Sequence, residues 1–305
     1  LKKIPILRTI YSAIGQMTES FAKPDNKQKS VVLLEYPRKG VWAVGFATKE
    51  NKGIINDKIG NELVNMFAEK GREVVAISRP GKEVKLRKNN VSPIHALHAD
   101  LCDKSSIAGL ASRVKLVLQG RPISALVNTA GIVTPLQPLK DFNAEMLMDN
   151  FAVNTIAPAI LACGLSGEMV DGARVLNFSS RAALLTLPGL SAYCMSKHAL
   201  RSITRSLQLE LPDHIAVGSL IPGEVDTGMQ GDLRMPDAEV FPLVQFFRKN
   251  VGSLIPAAVA ANFIYWVLFC TDSTDFARDD AWYIYDTSHH QQWICQGDSF
   301  DYPEP

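Results

Sequence analysis

The stretch ARVLNFS, Ala173–Ser179, has the composition of a strand that is buried on both faces. Most of its residues are apolar, and the residue that follows, Ser180, carries a hydroxyl group. Strands covered on both faces are typical of parallel sheets. In open sheets of this kind, ligands bind at the carboxyl ends of the strands. The stretch therefore predicts a buried parallel strand that ends at a binding site.

Further runs of strand length alternate with helical patterns on both sides of this stretch. The strand-like runs are Val41–Ala47, Glu73–Ser78, Ile94–Ala99, Ile123–Asn128 and Ile215–Ile221. The helical patterns are Lys58–Lys70, Lys104–Leu118, Asn143–Met169, Ala192–Leu211 and Pro256–Phe269. This alternation predicts an α/β fold, a doubly wound (Rossmann-like) parallel sheet with helices on both faces. We expect one main domain over residues 39–290, an atypical N-terminal extension over 1–38 and a C-terminal tail over 291–305.

The composition argues against several classes of protein. Of 305 residues, 47% are apolar and 21% are charged, and the net charge is +1, so nothing indicates a nucleic-acid partner. The five cysteines form no C-x-x-C pair, which favours a reducing, cytoplasmic setting. His289 and His290 lack further ligands at fixed spacing, so we predict no metal site. The apolar run Ile255–Cys270 is shorter than the roughly 20 residues of a membrane span and predicts a buried helix.

The segment SAYCMSKHAL, Ser191–Leu200, carries the strongest chemical signal. Tyr193 and Lys197 lie one helical turn apart, so they share one face of a helix. A lysine ammonium beside a phenol lowers the pKa of the phenol, which can then exchange a proton with a carbonyl oxygen near neutral pH. Taken alone, this spacing is common and also fits a solvated helix face. The nearby hydroxyl of Ser180, at the end of a buried strand, favours an active site.

From about Ala68 to Asp286 the chain resembles the short-chain dehydrogenase/reductase family. The segments LVNTAGIV, VNTIAP and IPGEVDTGM are similar to consecutive motifs of that family, and ADL, Ala99–Leu101, is similar to its acidic site beside the adenine. The segment EVDTGMQGDLR and the helices after it look most like the sepiapterin reductase and benzil reductase branch.

The resemblance implies a catalytic tetrad and a cofactor site. Tyr193 would be the general acid, Ser180 would hold the substrate oxygen, Lys197 would lower the tyrosine pKa and bind the ribose, and Asn154 would fix a water. Tyr193 and Lys197 would also contact the cofactor, together with Asp100, Leu101, Asn128, Ala130, Gly131, Pro222, Gly223, Val225 and Thr227.

The choice of cofactor is read at the end of the second strand. Where NAD enzymes carry an acid for the ribose hydroxyls, this chain has Ser78 and Arg79. An arginine there suits a 2′-phosphate, so the sequence favours NADP(H) over NAD(H). The alternative is a surface arginine in the turn before Pro80.

The loop that should hold the pyrophosphate departs from the family pattern. Gly60 corresponds to the third loop glycine, Lys58 falls on the second, and Gly45 is the candidate for the first. Glycines there let backbone N–H groups approach a phosphate at the helix N-terminus. The Lys58 side chain would crowd that approach, although its charge could compensate in part, and Gly53 is an alternative.

Residues 1–67 resemble a fragment of the COV-like membrane-protein family. The segments IPILRTIYSAIGQ, VVLLEYPRKGVWAVGFAT and KIGNELVNMF carry this second resemblance. Two outcomes are open: the segment VWAVGFA and the following helix replace the first strand and helix of the reductase, or residues 1–67 form a separate β-rich piece. We favour replacement, because the apolar spacing suits a strand and then a helix.

Together, these observations predict an NADP(H)-dependent oxidoreductase that reduces a small ketone or diketone, with Tyr193 as general acid. The alternative is a non-catalytic, reductase-like fusion or binding module with an impaired dinucleotide loop. We expect a small carbonyl substrate and no membrane span, and a homo-oligomer is possible. The substrate and the stereochemistry are not predicted.

Overall fold

The structure, a computed structural model, describes residues 42–46, 58–82, 84–295 and 298, which belong to one compact unit. For residues 42–46 the backbone is described. The predicted extension over 1–38, the loop over 47–57 with Gly53, and the end of the predicted tail lie outside the described residues.

Seven strands form one sheet within the described residues, and every neighbouring pair is parallel. The order across the sheet is β3-β2-β1-β4-β5-β6-β7. The strands are β1 (Trp42–Phe46), β2 (Glu73–Ser78), β3 (Ile94–His98), β4 (Ile123–Asn128), β5 (Met169–Phe178), β6 (Ile215–Ile221) and β7 (Trp282–Tyr283). The strand order reverses between β1 and β4, and in such sheets the crevice at the reversal binds the ligand.

The strand β1 occupies the centre of this sheet. Val44 lies in register with Val75 of β2, and Ala43 with Ala125 of β4. Residues 42–46 of the segment VWAVGFA therefore lie between β2 and β4, as the replacement interpretation expects. The sheet therefore contains the strand that it would lack in the alternative interpretation.

Nine helices are found in the described residues. They are α1 (Lys58–Glu69), α2 (Lys104–Leu118), α3 (Ala144–Phe151), α4 (Ala157–Leu165), α5 (Ser191–Glu210), α6 (Gly228–Arg234), α7 (Val244–Lys249), α8 (Ala257–Phe269) and α9 (Ser273–Phe276).

Two hydrophobic cores lie on the two faces of the sheet. In the first core, Leu110 of α2, Leu161 of α4 and Leu207 of α5 pack with strand residues. In the second core, Phe67 of α1 and Phe263 of α8 pack with residues from the same strands. Helices therefore cover both faces, and the predicted doubly wound α/β fold is confirmed.

The predicted helical stretch Asn143–Met169 is helical over Ala144–Glu168, but the helix is not regular. The chain forms α3, then a π turn at Ala152–Ile156, then α4, and β5 already begins at Met169. Pro158 lies in the first turn of α4 and has no N–H to donate to the Asn154 carbonyl, four residues back. The regular ladder is interrupted there, and π turns are frequent at functional sites.

The same run has the length and composition of a membrane-spanning helix. Ala144–Glu168 covers 25 residues, and half of its most apolar window is buried inside the fold. Core helices of proteins outside membranes have the same properties. The absence of a membrane span stays a prediction.

The C-terminal part packs on α8, although the sequence pattern gave no strand there. β7 extends the sheet beyond β6, and Trp282 of β7 meets the Trp266 ring at 5.0 Å between centroids. Trp293 lies 5.1 Å from the Phe263 ring and is buried. Packing onto the main domain therefore extends past residue 290.

Candidate active site

A pocket of about 140 Å³ opens at the carboxyl ends of the central strands. Its walls come from the first turn of α1, the segments after β4, β5 and β6, and α5. Eight of the residues that the sequence singles out line this pocket: Gly131, Ser180, Tyr193, Lys197, Pro222, Gly223, Val225 and Thr227. The fold thus brings together positions that are far apart in sequence.

Ser180 and Tyr193 face the same pocket. Ser180 follows β5, and its hydroxyl accepts a hydrogen bond from the Ala182 N–H at 3.1 Å, which fixes it at a short helical turn. Burial raises the pKa of Tyr193 to about 12, and the neighbouring Ser180 side chain lowers it only in part. That Lys197 lowers the tyrosine pKa stays a prediction.

The Lys197 ammonium forms its hydrogen bond with a backbone carbonyl group. Its Nζ donates to the Phe178 carbonyl at 2.8 Å and lies 5.6 Å from the centroid of the Tyr193 ring. The side chain is only 3% exposed. Burial lowers the pKa of Lys197 to about 8. The Phe178 carbonyl is a functional group that sequence patterns could not reveal, because every residue carries one.

Asn154 lies in the π turn and is completely buried. Its Oδ1 accepts from the Ile132 N–H at 2.8 Å, and its Nδ2 donates to the Ile132 carbonyl at 2.9 Å and to Ser196 Oγ at 2.9 Å. Asn154 thereby ties the segment after β4 to α5. Ser196, one residue before Lys197, was missed, and only its place inside the Tyr-Lys segment could have indicated it.

The end of β4 is held by a chain of buried polar groups. Asn128 Nδ2 donates to Asn177 Oδ1 at 2.8 Å, and Asn177 Nδ2 donates to Thr204 Oγ at 3.0 Å. This chain crosses from β4 to β5 and α5. It fixes the strand end after which Ala130 and Gly131 follow, with Ala130 buried.

The space at Gly131 tests whether the site fits a dinucleotide. A Cβ added to Gly131 would lie 3.5 Å from Asn154 Oδ1, 3.6 Å from Met229 Cε and 3.7 Å from Lys197 Nζ. A larger side chain would therefore fill the cleft between β4 and the lysine ammonium. With glycine there, the cleft stays open beside a cation, which suits a nicotinamide riboside.

The segment after β6 forms the opposite wall. Gly223 has φ +76, and an added Cβ would lie 2.7 Å from Ile255 Cδ1, so only glycine fits there. Val225 forms a bridge with Ile255, which keeps the segment extended. Glu224 accepts a hydrogen bond from the Tyr285 hydroxyl at 2.8 Å, and both line the pocket. The sequence analysis did not single out this pair.

The ends of β2 and β3 lie beyond the lining of the pocket. Ser78 is buried, and its hydroxyl donates to the Lys82 carbonyl at 2.7 Å and contacts His98 Nδ1 at 3.2 Å. The Ser78 hydroxyl is therefore engaged within its own turn, and Arg79 follows it, partly exposed. Asp100 accepts from the Cys102 N–H at 3.0 Å, and Leu101 is buried.

The candidate loop glycines occupy secondary structure. Gly45 lies inside β1, in register with Ala76, rather than in a loop. Gly60 is buried in the first turn of α1, which begins at Lys58. The Lys58 ammonium forms an ion pair with Asp226 in the segment after β6.

Comparison with known families agrees with this fold. The family model described as short chain dehydrogenase matches residues 56–238. The chain belongs to this family and is a short-chain dehydrogenase/reductase, an oxidoreductase that uses a nicotinamide dinucleotide. A second family model, described as protein of unknown function (DUF502), matches residues 1–76.

Individual relatives are consistent with the assignment. Protein FixR of Bradyrhizobium diazoefficiens is 30% identical over 227 residues, 72% of this chain and 78% of that protein. A benzil reductase of Bacillus subtilis is 29% identical over 208 residues, 64% of this chain and 83% of that enzyme. An uncharacterized short-chain type dehydrogenase/reductase of Sinorhizobium fredii is 34% identical over 57% of this chain, and this match spans 32% of its length.

Solved structures share the fold. A short chain dehydrogenase/reductase from Saccharomyces cerevisiae superposes with a TM-score of 0.69 at 20% identity, over 84% of this chain and 100% of that one.

Proposed function

We propose that this enzyme reduces a small ketone or diketone with NADPH, and that Tyr193 is the general acid. The observation that carries the proposal is the convergence of the Ser180, Tyr193 and Lys197 side chains on one pocket, which Gly131 also lines. The benzil reductase of Bacillus subtilis, named for the reduction of a diketone, supports this substrate class.

The protonation state of Tyr193 suits a proton donor. Its pKa is raised to about 12, so the phenol keeps its proton through the neutral range. A carbonyl oxygen placed beside it receives that proton, while the Ser180 hydroxyl donates a second hydrogen bond to the same oxygen. When bound, NADPH supplies the hydride for the carbonyl carbon.

Lys197 and Asn154 support this acid. Below pH 8 the Lys197 side chain is an ammonium, which stabilises negative charge on the phenol oxygen after the proton has left. Asn154 holds the segment after β4 against α5, so that Gly131 and Lys197 keep their spacing.

The test is the variant Tyr193→Phe. We expect it to fold and bind NADPH, because the ring still fills its place, and to lose at least a hundredfold in kcat, since general acid catalysis contributes about 10²–10⁴. Turnover of a diketone followed by loss of NADPH absorbance measures the effect. Full activity in this variant would refute the role of Tyr193.

The preference for NADP(H) is a separate part of the proposal. Arg79 follows β2, where the adenosine ribose of a dinucleotide binds in this fold. An NADPH-dependent relative, the 3-dehydrocapnine reductase of Ornithobacterium rhinotracheale, is consistent with it.

The variant Arg79→Glu tests this preference. We expect the ratio of kcat/KM for NADPH over NADH to fall at least tenfold, because the glutamate repels a 2′-phosphate and accepts from a ribose hydroxyl. Arg79→Lys is the matched control and should keep most of the ratio. An unchanged ratio in Arg79→Glu would mean that Arg79 belongs to a surface turn and does not contact the cofactor.

One observation favours the non-catalytic alternative. The Lys58 side chain stands where the family has a glycine, and its ion pair with Asp226 joins two walls of the crevice. Titration with NADPH, followed by nicotinamide fluorescence, separates the two functions. If NADPH binds, the result supports the proposed reductase. If no binding is seen at millimolar NADPH, the result supports the non-catalytic, reductase-like module.

We extend the proposal to assembly and location. Ile156 and Ile160 near the start of α4 and Met195 on α5 are exposed apolar residues, which supports a homo-oligomer. The five cysteines are free, which supports the cytoplasm as the compartment.

A further inference from the structure

A carboxylate lies at the active-site pocket, on the wall that follows β6. Glu224 lines this pocket together with Ser180 and Tyr193. It is partly buried, and its Oε2 accepts a hydrogen bond from the Tyr285 hydroxyl at 2.8 Å. Ser180 and Tyr193 face the carbonyl oxygen in the proposed reaction, and Glu224 has no assigned part in it.

Tyr285 holds the Glu224 carboxylate in place. The tyrosine is 2% exposed and follows β7, so the packing at this edge of the sheet sets its position. Burial, and then the negative charge of Glu224, raise the pKa of Tyr285, so the phenol stays a hydrogen-bond donor. A carboxylate has two oxygens, and each of them can accept. Since Oε2 binds the phenol, Oε1 provides an acceptor for a molecule in the pocket.

The charges around the pocket favour a neutral donor group over an ammonium or a carboxylate. Lys197 and Arg181 are basic residues in the same lining as Glu224. The two basic residues repel an ammonium group on a substrate, and Glu224 repels a carboxylate. A hydroxyl group donates to Glu224 without adding a charge, and hydrogen bonds to a charged acceptor are stronger than those between neutral groups. The pocket therefore suits a substrate that carries a hydroxyl group.

We propose that the substrate is a hydroxyketone, whose hydroxyl group donates a hydrogen bond to the Glu224 carboxylate while its carbonyl oxygen faces Ser180 and Tyr193. Glu224 is then a residue that determines specificity, and Tyr285 is a positioning residue that acts through it. This inference rests on the proposed function, because it requires ketone reduction in this pocket. A site that binds a substrate hydroxyl group discriminates against an analogue without it, because the polar group of the site is then left unpaired.

The experiment measures kcat/KM of the full chain with NADPH for two pairs of ketones of matched shape. Hydroxyacetone is compared with butanone, and 4-hydroxybutan-2-one with pentan-2-one, so that a methyl group replaces the hydroxyl group in each pair. We expect the wild type to prefer the hydroxyketone about tenfold in at least one pair. In that pair Glu224→Met should remove the preference, because it loses the acceptor and keeps a side chain of similar size.

Further variants separate substrate recognition from structural support. Tyr285→Phe should lower the preference about threefold, because the carboxylate is no longer held in place. Glu224→Gln keeps an acceptor for Tyr285 and removes the charge, so it should raise kcat/KM for acetoacetate, an anionic ketone, about threefold.

The matched control is Glu210→Met. Glu210 is exposed at the end of α5, and its replacement should leave the preference and the kcat/KM for acetoacetate unchanged. Thermal unfolding of each variant shows whether the fold is kept. If Glu224→Met does not fold, the result for acetoacetate with Glu224→Gln decides the question.

The outcomes distinguish this inference from the proposed function. If the wild type reduces hydroxyketones and their methyl counterparts equally well, or reduces only a diketone, the inference is wrong while the proposed function stands. The inference is also wrong if Glu224→Met keeps the preference, or if both Glu224 variants lower kcat/KM equally for every ketone. If the wild type reduces neither these ketones nor a diketone with NADPH, both fail.

Discussion

Lys197 carries a charge at a place that water hardly reaches. Its side chain is 3% exposed, and the Phe178 carbonyl is its hydrogen-bond acceptor. Burial favours the neutral amine, which lowers the pKa from 10.5 to about 8. At neutral pH the protein therefore keeps an ammonium whose burial reduces the stability of the fold. Buried groups with shifted pKa values are concentrated at functional sites.

This cost predicts a pH dependence of stability. The folded pKa of Lys197 lies below its ordinary value, so its contribution to stability improves as pH rises from about 8 to 10.5 and is unfavourable below pH 8. We expect the Tm of Lys197→Met minus that of the wild type to become smaller between pH 7 and pH 10. Loss of the hydrogen bond to the Phe178 carbonyl lowers the Tm of Lys197→Met by the same amount at pH 7 and at pH 10, so it does not change this trend.

Thermal unfolding at several pH values checks this expectation. Lys115→Met is the control, because the Lys115 side chain is 43% exposed. For the control the difference in Tm should not change with pH. A constant difference for Lys197→Met would show that its ammonium is not penalised in the folded state.

The sequence predicted the residues of the site better than their chemistry. The Tyr-Lys spacing correctly placed both side chains on one face of α5, next to Ser180. It did not show how deeply the tyrosine is buried or that Lys197 binds the Phe178 carbonyl, because both depend on tertiary structure. Local spacing carries no information on either.

At the scale of elements, regular strands and helices were predictable, and interruptions were not. The bounds of β2, β4, β6 and α2 agree with the apolar patterns. The π turn inside Asn143–Met169 contains Asn154, four residues before Pro158, in a run that is mostly apolar, so the apolar pattern did not reveal it. β7 has only two residues, too few for a period.

The contact of the C-terminal segment with α8 predicts a large effect on stability. Trp293 is 5% exposed and packs on Phe263 and His289. We expect Trp293→Ala to lower the free energy of unfolding by about 3–5 kcal/mol, as for other buried aromatic residues. Denaturation with urea measures it.

A control truncates an apolar side chain that makes no such contact. Leu209 of α5 is 87% exposed, so Leu209→Ala should change the free energy of unfolding by less than about 0.5 kcal/mol. Equal effects of the two substitutions would mean that the segment around Trp293 does not pack on α8 in solution.

At the scale of the molecule, the sheet depends on its central strand. β1 pairs with β2 on one side and β4 on the other. We expect a chain that starts at residue 58 to fail to fold, because β2 and β4 would lose their common partner. A chain that starts at residue 39 keeps β1, and we expect it to fold and bind NADPH.

Circular dichroism and NADPH titration of the two shortened chains check this prediction. Folding of the chain from residue 58 would show that β1 is dispensable. If the chain from residue 39 does not fold, the main domain includes part of residues 1–38. Sequence patterns alone left the role of this strand open, since a strand's partners are set by residues far away along the chain.

The central strand lies in the part of the chain that is matched by the DUF502 model, and most of the sheet lies in the part matched by the dehydrogenase model. One sheet is therefore assembled from both matched parts, so a substitution that disturbs the first part also disturbs the framework of the pocket in the second.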